Sequence, residues 1–406
     1  MSRPMTSTVA LLCLAEVLTM LGVFTFPALL PAFQDAWGLT NTQAGWVSGI
    51  TFGAYAVASP VLISLTDRVD ARWVYALGAA VAAVASLAFA LWAEGFASAL
   101  ALRALAGVGL AGTYMPGLRM LVDRVEPAAR ARAVPLYTAS FSLGTALSYF
   151  VSGEIGAVLG WRWAFAAAAA GAVLAVGVAL SRQPAPPQPG PPQQNEAPTR
   201  LLDFRPVLRN RPAMGYVLGY AAHMWELFAF RSWVVAFLAV AAAGGLGGWP
   251  APATVATLGA LVAMAASIGG AELATRWGRA RVVRVYMVLS ALAAAGLGWL
   301  AGLPYGVVAA ATILYAGLIQ LDSAALTTGA VETAEAGRRG ATLAVHSLIG
   351  FLAGFVGPLA LGVVLDGAGW GWAFASVAVV ALLGPLAMAW GERATNTSLA
   401  PGAPRP

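Results

Sequence analysis

Long apolar runs, each about the length of a membrane-spanning helix, recur from one end of this chain to the other. A helix that crosses the hydrocarbon core of a bilayer needs about 20 mostly apolar residues. Reading between charged residues and Gly or Pro breaks gives twelve such runs. Spans 1 to 12 are predicted at 8–33, 41–66, 72–93, 96–122, 131–158, 162–181, 212–241, 251–275, 281–302, 304–331, 339–366 and 371–391. The pattern predicts an all-α protein that crosses a membrane twelve times.

The composition excludes a mostly water-exposed surface. Of the 406 residues, 60% are hydrophobic and only 10% are charged, whereas an average soluble domain carries about 25% charged residues. The net charge of +6 by itself suggests nucleic acid, but the arginines lie in short clusters between apolar runs, as they do in membrane proteins. The expected partner is therefore the lipid bilayer and not nucleic acid. The single cysteine, Cys13, excludes an intrachain disulfide and a multi-cysteine zinc site.

The distribution of arginine predicts the orientation. Nineteen of the 23 arginines lie in one alternate set of loops, in the segment between spans 6 and 7, and at the termini, while the other loops hold only Arg162. Basic loops stay on the cytoplasmic side, so both termini and the central segment are expected to be cytoplasmic, in a bacterial inner membrane. Apolar residues begin at Val9 and run past the length of a signal-peptide core, so we expect the first span to be retained.

An internal repeat divides the chain into halves. Gly160-Trp-Arg-Trp-Ala-Phe-Ala166 recurs as Gly369-Trp-Gly-Trp-Ala-Phe-Ala375, a spacing of 209 residues, and each copy opens the sixth span of its half. An even number of spans per half gives the two copies the same orientation, which makes a parallel repeat. The predicted organisation is an N-terminal six-helix bundle (1–181), a proline-rich cytoplasmic linker (182–211), a C-terminal six-helix bundle (212–392) and a cytoplasmic tail (393–406).

Three short motifs carry a family resemblance. The loop after span 2 contains Asp67, Arg68 and Arg72, similar to a G-x-x-x-D-R-x-G-R-R loop, although Ile63, Asp70 and Ala71 depart from that pattern. The equivalent loop of the second half keeps Arg276, Gly278 and Arg279 but has Thr275 in place of the acid. Span 4 contains Arg103-Ala-Leu-Ala-Gly107-Val-Gly109-Leu-Ala111, similar to an R-x-x-x-G-x-G-x-A motif.

With twelve spans in two parallel halves, these motifs resemble the major facilitator superfamily over nearly the whole chain. The resemblance implies two pseudo-symmetric six-helix bundles around a central cavity lined by spans 1, 4, 7 and 10. It also implies a cytoplasmic gate, a charge latch formed by Asp67, Arg68, Arg72, Arg276 and Arg279. The family's drug antiporters carry a Gly-Pro signature in the fifth span, which this chain lacks. Its nitrate porters carry an arginine inside spans 2 and 8, which is also missing here.

Ionisable residues inside the predicted spans are functional candidates, because a charge at mid-membrane costs about 2.5–3.5 kcal/mol on insertion scales. Most of them fall on spans 1, 4, 7 and 10. They are Glu16, Arg103, Arg119, His223, Glu226, Arg231 and Asp322, with His346 on span 11 and Glu154 near the outer end of span 5.

The acids and one histidine predict proton coupling. Glu16 and Glu226 are 210 residues apart, so we expect them at near-equivalent places, facing each other across the pseudo-two-fold axis. His223 lies three residues before Glu226, within side-chain reach on one helical face, and would relay the proton; Asp322 is a further coupling candidate. The alternative is that Glu16 and Glu226 sit in buried ion pairs with Arg119 or Arg231, which rigidify the bundle without contacting a ligand.

The arginines and several aromatic residues are substrate-binding candidates. Arg231 is the first choice as an anchor for an anion. Arg103 either contacts substrate or bonds backbone carbonyls of a neighbouring helix, and Arg119 either contacts substrate or extends to the cytoplasmic interface. Tyr114, Tyr220 and Trp225 either line the site or serve packing.

These observations predict a secondary active transporter that works by alternating access and moves a small solute, with a small anion favoured. The coupling ion is a proton or another ion. We expect a monomer without cofactor or metal, and no enzymatic activity because no nucleophile–base motif or nucleotide loop is present. One alternative is proton-linked export of drug-like or cationic compounds, and a weak one is copper transport through scattered methionines. An alternative of another class is a membrane sensor or scaffold that does not transport.

Overall fold

The computed structural model describes residues 3–184, 204–244, 248–335 and 337–398, and the regular structure in these ranges is helical. Span 1 is divided into Arg3–Met20, Thr25–Ala28 and Leu30–Trp37. Spans 2 to 6 are Asn41–Leu65, Ala71–Trp92, Phe96–Arg124, Pro127–Leu159 and Trp161–Leu180. Spans 7 to 9 are Arg211–Ala243, Pro252–Trp277 and Arg279–Leu297, the last continued by the 3-10 turn Gly298–Gly302.

The last three spans contain two interruptions. Span 10 is divided into Tyr305–Gln320 and Ser323–Glu332. The helical segment Arg339–Ala381 turns at Gly369, whose φ of 76° and ψ of 178° leave the helical path, so it contains span 11 and the start of span 12. Glycine permits this conformation because it has no Cβ. Span 12 continues as Leu383–Ser398.

Twelve crossings result. Ten helical segments of the described residues are long and apolar enough to cross a membrane; one of them, Arg339–Arg393, turns back at Gly369 and so supplies two crossings. The remaining crossing is the divided span 1. Because no helix is continuous there, only Ser7–Met20 is recognisable as an apolar segment, and it is shorter than a full span.

The predicted linker and tail lie partly outside the described residues. Residues 185–203 of the 182–211 linker are not described, and its last part forms a short helix, Arg205–Arg209. The final helix continues to Ser398. The first part of the predicted tail, 393–406, is therefore helical, and residues 399–406 lie outside the described ranges.

The break in span 1 exposes backbone groups that other spans satisfy. Arg103 of span 4 donates to the carbonyls of Gly22 (2.9 Å) and Val23 (2.6 Å). Ser148 of span 5 donates to the carbonyl of Leu21 (2.6 Å) and accepts from the amide of Phe24 (3.1 Å). Backbone polar groups inside a membrane require such partners. Side chains of spans 4 and 5 therefore stabilise the break in span 1.

The two halves meet closely along spans 2 and 11. A Cβ built on Gly45 would lie 2.6 Å from the carbonyl oxygen of Pro358, and one on Gly49 would collide with the carbonyl oxygen of Phe355. Only glycine allows the backbones to approach so closely, as in other small-xxx-small helix pairs. Gly45 and Gly49, which are one helical turn apart on span 2, therefore lie in the contact between the halves.

We call the side that carries the arginine-rich loops and the 182–211 segment the linker side, and the opposite side the distal side. On the distal side, the carboxylate of Asp366 (span 11) caps the start of span 2. It accepts from the amides of Asn41 (2.9 Å) and Thr42 (2.8 Å) and from the Thr42 hydroxyl (2.6 Å). An acid at a helix N-terminus satisfies free N–H groups and favours the helix dipole. This cap holds the distal ends of the halves together.

We expect Asp366→Ala to loosen the distal closure. Loss of a helix cap costs about 0.5–2 kcal/mol, which shifts an opening equilibrium by roughly twofold to thirtyfold. The measurement is the rate at which a membrane-impermeant maleimide, added from the distal side, labels Ser48→Cys in a Cys13→Ser background; Ser48 is buried on span 2. Asp35→Ala, which removes an exposed distal acid, is the matched control and should leave the rate unchanged. An equal rate in both variants would show that the cap does not hold this gate.

Candidate functional site

Glu16 of span 1 is completely buried inside the N-terminal bundle. Its Oε2 atom accepts a hydrogen bond from the hydroxyl of Tyr137 on span 5 (2.8 Å), and its Oε1 atom has no hydrogen-bond partner among the described residues. This carboxyl group is paired with a hydroxyl and not with an arginine. The ion-pair alternative considered from the sequence therefore does not match the geometry of this residue.

Glu226 of span 7 is 2% exposed and lies inside the C-terminal bundle. Its two oxygens are held by hydroxyls from two other spans: Tyr315 of span 10 donates to Oε1 (3.0 Å), and Ser290 of span 9 donates to Oε2 (3.1 Å). A hydroxyl can reverse its role between donor and acceptor, so this arrangement accommodates both the charged and the protonated carboxyl. It is a site built to hold a carboxyl group in either state.

The two glutamates do not face each other. The partners of Glu16 belong to the N-terminal bundle and those of Glu226 to the C-terminal bundle, so each side chain points between helices of its own half. The expectation of a face-to-face pair was wrong in this respect. Equivalent positions in a repeat fix the depth of a residue, whereas the rotation of its helix decides which side the residue occupies.

His223 pairs with Asp322. The spacing on span 7 had instead suggested Glu226 as its partner. Its Nδ1 atom lies 2.7 Å from Oδ1 of Asp322, although the alignment is not that of a regular hydrogen bond. Both side chains are buried. Asp322 sits at the interruption in span 10, just before Ser323–Glu332, and its carboxyl contacts span 7. The two side chains therefore form a close polar contact between spans 7 and 10.

A second histidine lies beside this pair. The His346 ring of span 11 stacks on Tyr220 at 3.8 Å between ring centroids, and Tyr220 in turn lies 5.9 Å from the ring of His223. The Nε2 atom of His346 lies 3.3 Å from the hydroxyl of Thr327. His346 was expected among the ionisable residues inside the spans but was not among the predicted site residues. Its contacts place it in the same polar cluster as His223 and Asp322.

Arg231 lies where the two halves meet. Its side chain is 7% exposed, and its guanidinium is stacked 5.7 Å from the ring of Phe24, at the break in span 1. Tyr149 of span 5 donates a hydrogen bond to its backbone carbonyl. Within the described residues the guanidinium has no hydrogen-bond or acidic partner. A buried cation without a counter-charge is costly, so this residue is the clearest candidate for binding an anion.

Beside Arg231 is a cavity of about 20 Å³, bordered also by Tyr149 and by Ala256, Ala260 and Ala263 of span 8. A water molecule needs at least about 10–15 Å³ of such space, so this cavity holds one water-sized molecule. A larger solute can reach the guanidinium only when the halves move apart. The described state is therefore closed around this residue.

Arg103 is almost completely buried, and its guanidinium donates to the two carbonyls in the break of span 1. This geometry matches the structural interpretation of the residue, in which it bonds backbone carbonyls of a neighbouring helix. Two of its donor groups are already occupied. Arg103 and Arg231 are both buried arginines at similar depth, but they differ in their partners. The guanidinium of Arg103 donates to two carbonyls, whereas that of Arg231 has no hydrogen-bond partner among the described residues.

Replacing Arg103 by Gln should lower the stability of the protein, because two buried carbonyls lose their donors. Leaving a buried polar group unpaired costs about 1–3 kcal/mol, so the expected loss is roughly 2–6 kcal/mol for both. The measurement is the apparent melting temperature of the purified protein in detergent. Arg162→Gln removes an arginine that is exposed on the distal side and should leave it unchanged. Equal melting temperatures for both variants would contradict the structural role.

Arg119 lies near the linker-side end of span 4, which agrees with the interfacial alternative given for it. Its side chain is 45% exposed and pairs with Asp67 (3.2 Å) and Asp123 (2.9 Å) on the linker side. Span 4 continues only to Arg124, so Arg119 is close to the helix end. Substrate contact in a buried site is not what this environment favours.

The predicted gate residues lie on the linker side and pair within their own halves. Arg72 donates to the carbonyl of Arg182 (3.0 Å), and Arg68 is exposed. In the second half, Arg276 pairs with Glu272 (2.7 Å) and Arg279 pairs with Glu332. These ion pairs do not tie one half to the other, whereas the Asp366 cap does so on the distal side. The contacts are those of a molecule closed on the distal side.

The aromatic candidates have separate environments. Tyr114 packs against Phe141 (4.8 Å between centroids), and its backbone carbonyl accepts from Tyr137. Trp225 is half-buried, and its indole nitrogen has no partner among the described residues. Tyr220 is the only one of the three in contact with the histidine cluster.

Sequence reasoning missed the hydroxyl partners Tyr137, Tyr149, Ser290 and Tyr315. One signal was available, since Tyr137 and His346 are separated by the repeat spacing of 209 residues, and each contributes to the polar cluster of its half. The sequence contains no comparable signal for the other hydroxyl partners, because Ser and Tyr are common in apolar spans and their pairing depends on how the spans pack.

Two bundles of similar helices, with broken spans and unpaired charge buried where the bundles meet, define a membrane transporter of the two-bundle class. The sequence profile of the Major Facilitator Superfamily matches residues 12–328. The chain therefore belongs to this superfamily. The resemblance stated from the motifs is confirmed, as is the fold class of twelve membrane helices in two six-helix bundles.

Curated relatives are distant and partly matched. The chain is 24% identical to the protein spinster homolog 1 of Homo sapiens over 237 residues, which are 57% of this chain and 45% of that protein. It is 28% identical over 137 residues to the multidrug transporter mfsC of Aspergillus fumigatus, covering 33% of this chain and 26% of the other. The matched region thus spans less than half the length of these relatives.

Solved structures share the fold over nearly the whole chain. A bacterial homologue of the human lysosomal transporter Spinster, in an inward-facing and unoccupied conformation, has a TM-score of 0.84 at 16% identity, with 99% of this chain and 100% of the other covered. The nucleoside transporter NupG has a TM-score of 0.72 at 16% identity, with 95% and 99% covered. At these identities the likeness concerns the fold.

Proposed function

We propose that this protein is a proton-coupled secondary transporter of a small anion, working by alternating access between its two halves. The observation that carries the proposal is the buried guanidinium of Arg231, which has no acidic partner among the described residues. An anion bound there supplies the missing counter-charge. The position between Phe24 of span 1 and Tyr149 of span 5 lets movement of one half against the other open and close access to it.

Proton coupling is assigned to the C-terminal bundle. Glu226 and the His223–Asp322 pair are buried on the same two spans, 7 and 10, that also contribute to the cavity beside Arg231. An anion that enters beside a carboxylate is repelled by it, and protonation removes that repulsion. Binding of the anion and of the proton therefore favour each other, which is the requirement for symport.

The linker side is proposed to be cytoplasmic, with the protein as a monomer in the bacterial inner membrane. The arginine-rich loops and both termini then lie inside. In that orientation, the contacts between the halves on the distal side close the described state toward the outside.

A screen of the purified protein for thermal stabilisation by a panel of small anions tests the proposal. A ligand that binds the folded protein raises its apparent melting temperature by mass action. A hit is then followed in proteoliposomes with an imposed pH gradient, where uptake should depend on the gradient. Stabilisation by organic cations alone, with no response to any anion, would overturn the anion assignment.

One observation favours a second candidate, proton-linked export of cationic compounds. Oε1 of Glu16 has no partner among the described residues, and Tyr114 lies at the same end of the N-terminal bundle, as its carbonyl shares the Tyr137 hydroxyl. A carboxylate beside aromatic rings can receive an organic cation. Drug sensitivity of cells with and without the protein separates this candidate from the first. Absence of flux for every stabilising ligand would instead support the sensor or scaffold alternative.

A further inference from the structure

A groove of about 670 Å³ lies between spans 9 and 12, remote from Arg231 and its cavity. Its walls are aliphatic: Val285, Val288 and Leu289 come from span 9, and Leu382 and Leu386 from span 12. Several of these side chains are exposed in the protein, including Leu386 at 65%. In a twelve-span membrane protein, apolar side chains exposed on the outside of the bundle face lipid.

The groove lies beside an interruption in the helix of span 12. One helical segment ends at Ala381 and the next begins at Leu383, and Pro385 follows within the first turn. Proline has no N–H and disrupts the helix before it. The repeat-related positions in the first half, Val173 and Val176, lie inside the uninterrupted helix Trp161–Leu180. The interruption beside the groove therefore has no counterpart in span 6.

Positive charge is concentrated at the linker-side end of the groove. Arg281 is exposed and has no hydrogen-bond or acidic partner among the described residues. Arg284, three residues further along the same helical face, forms an ion pair with Glu392 (3.1 Å) and donates to the carbonyl of Ala280 (3.3 Å). Glu392 offsets one of the two charges, and the unpaired guanidinium of Arg281 remains available.

We propose that this groove binds an anionic phospholipid of the linker-side leaflet. The acyl chain lies along the aliphatic walls of spans 9 and 12, and the phosphate contacts Arg281 at the membrane interface, with Arg284 beside it. Both chemistries are needed. A free phosphate would use the arginines without the walls, and a zwitterionic lipid carries a positive group that the arginines repel. Basic sites between membrane helices on the cytoplasmic side suit anionic headgroups.

Native mass spectrometry of the full-length protein with phosphatidylglycerol and phosphatidylcholine of matched chains tests this proposal. We expect phosphatidylglycerol to bind more tightly and Arg281→Gln to weaken it about fivefold, since a basic residue near the surface contributes about 1 kcal/mol to anionic-lipid binding. Val288→Trp, which fills the groove, should weaken both lipids. Arg132→Gln, which removes an exposed linker-side arginine of the first half, is the matched control and should change neither.

Three results would overturn the proposal. Equal binding of the two lipids would show that the groove does not recognise the headgroup. An equal effect of Arg132→Gln and Arg281→Gln would show that binding depends only on the overall charge of the protein. Displacement of phosphatidylglycerol by inorganic phosphate would show a phosphate site without a lipid chain. The lipid measurement does not use transport, so its outcome is independent of the proposed function, and only the assignment of the leaflet depends on the orientation given there.

Discussion

Replacing Arg231 by Ala should abolish anion binding while leaving the protein folded. Removing one partner of a buried charge pair costs about 2–5 kcal/mol, which corresponds to a loss of affinity of roughly 30-fold to several-thousand-fold. The measurement is the stabilisation of the purified variant by an anion that stabilises the wild type, followed by uptake of that anion in proteoliposomes. Both signals should disappear in the variant at ligand concentrations that saturate the wild type.

The melting temperature without ligand separates recognition from stability. Arg231 is buried without a counter-charge among the described residues, so replacing it with a neutral residue removes an electrostatic cost. We expect the ligand-free Arg231→Ala protein to be as stable as the wild type or more stable. Arg103→Gln, by contrast, should be less stable because it leaves two carbonyls unpaired.

Arg231→Lys is the conservative variant, because it keeps the positive charge but not the planar, forked donor geometry of arginine. Partial recovery of anion binding in this variant would support electrostatic recognition. A ligand-free Arg231→Ala protein that loses stability as much as Arg103→Gln would indicate that Arg231 is structural. Retention of wild-type anion affinity would contradict its role as the anchor.

The second large effect is expected for Glu226→Gln, which should abolish accumulation driven by a pH gradient. Glutamine keeps the shape of the side chain and can still bond to Tyr315 and Ser290, but it cannot bind and release a proton. Exchange of labelled for unlabelled substrate requires no net proton movement and should continue. The comparison of gradient-driven uptake with exchange in the same proteoliposomes therefore measures coupling separately from substrate binding.

Two variants serve as controls for this prediction. Glu154→Gln removes an exposed acid from span 5 and should accumulate substrate like the wild type. Asp322→Asn disrupts the His223 pair (2.7 Å) and tests whether coupling resides there. Wild-type accumulation by Glu226→Gln, together with its loss in Asp322→Asn, would move the assignment to the His223–Asp322 pair.

Much of the architecture could be predicted from the chain itself. The number of spans followed from the lengths of the apolar runs, and the two-bundle fold followed from the repeat that relates Gly160–Ala166 to Gly369–Ala375. The breaks in spans 1 and 10 were not predicted, because neither interrupts the apolar pattern. Hydropathy reports where a chain prefers lipid, but not whether its backbone there remains helical.

The sequence predicted which residues of the site are buried better than it predicted the contacts between them. Buried charge on spans 1, 7 and 10 was expected, and Glu16, His223, Glu226, Arg231 and Asp322 are all buried. The contacts among them were not foreseen: His223 meets Asp322, and Glu226 meets two hydroxyls. For Arg119, the contacts with Asp67 and Asp123 near the end of span 4 match the interfacial alternative and not substrate contact.

The sequence by itself determined the number of crossings and the two-bundle fold, because lipid solvation acts on each span separately. Tertiary structure alone decided which buried charges are paired. Helical spacing fixes neighbours along one helix, but a side chain inside a bundle takes its partner from whichever helix packs against it. The helix breaks, rotations and close glycine contacts that set this packing are why Arg103 is satisfied and Arg231 is left without a partner in the described structure.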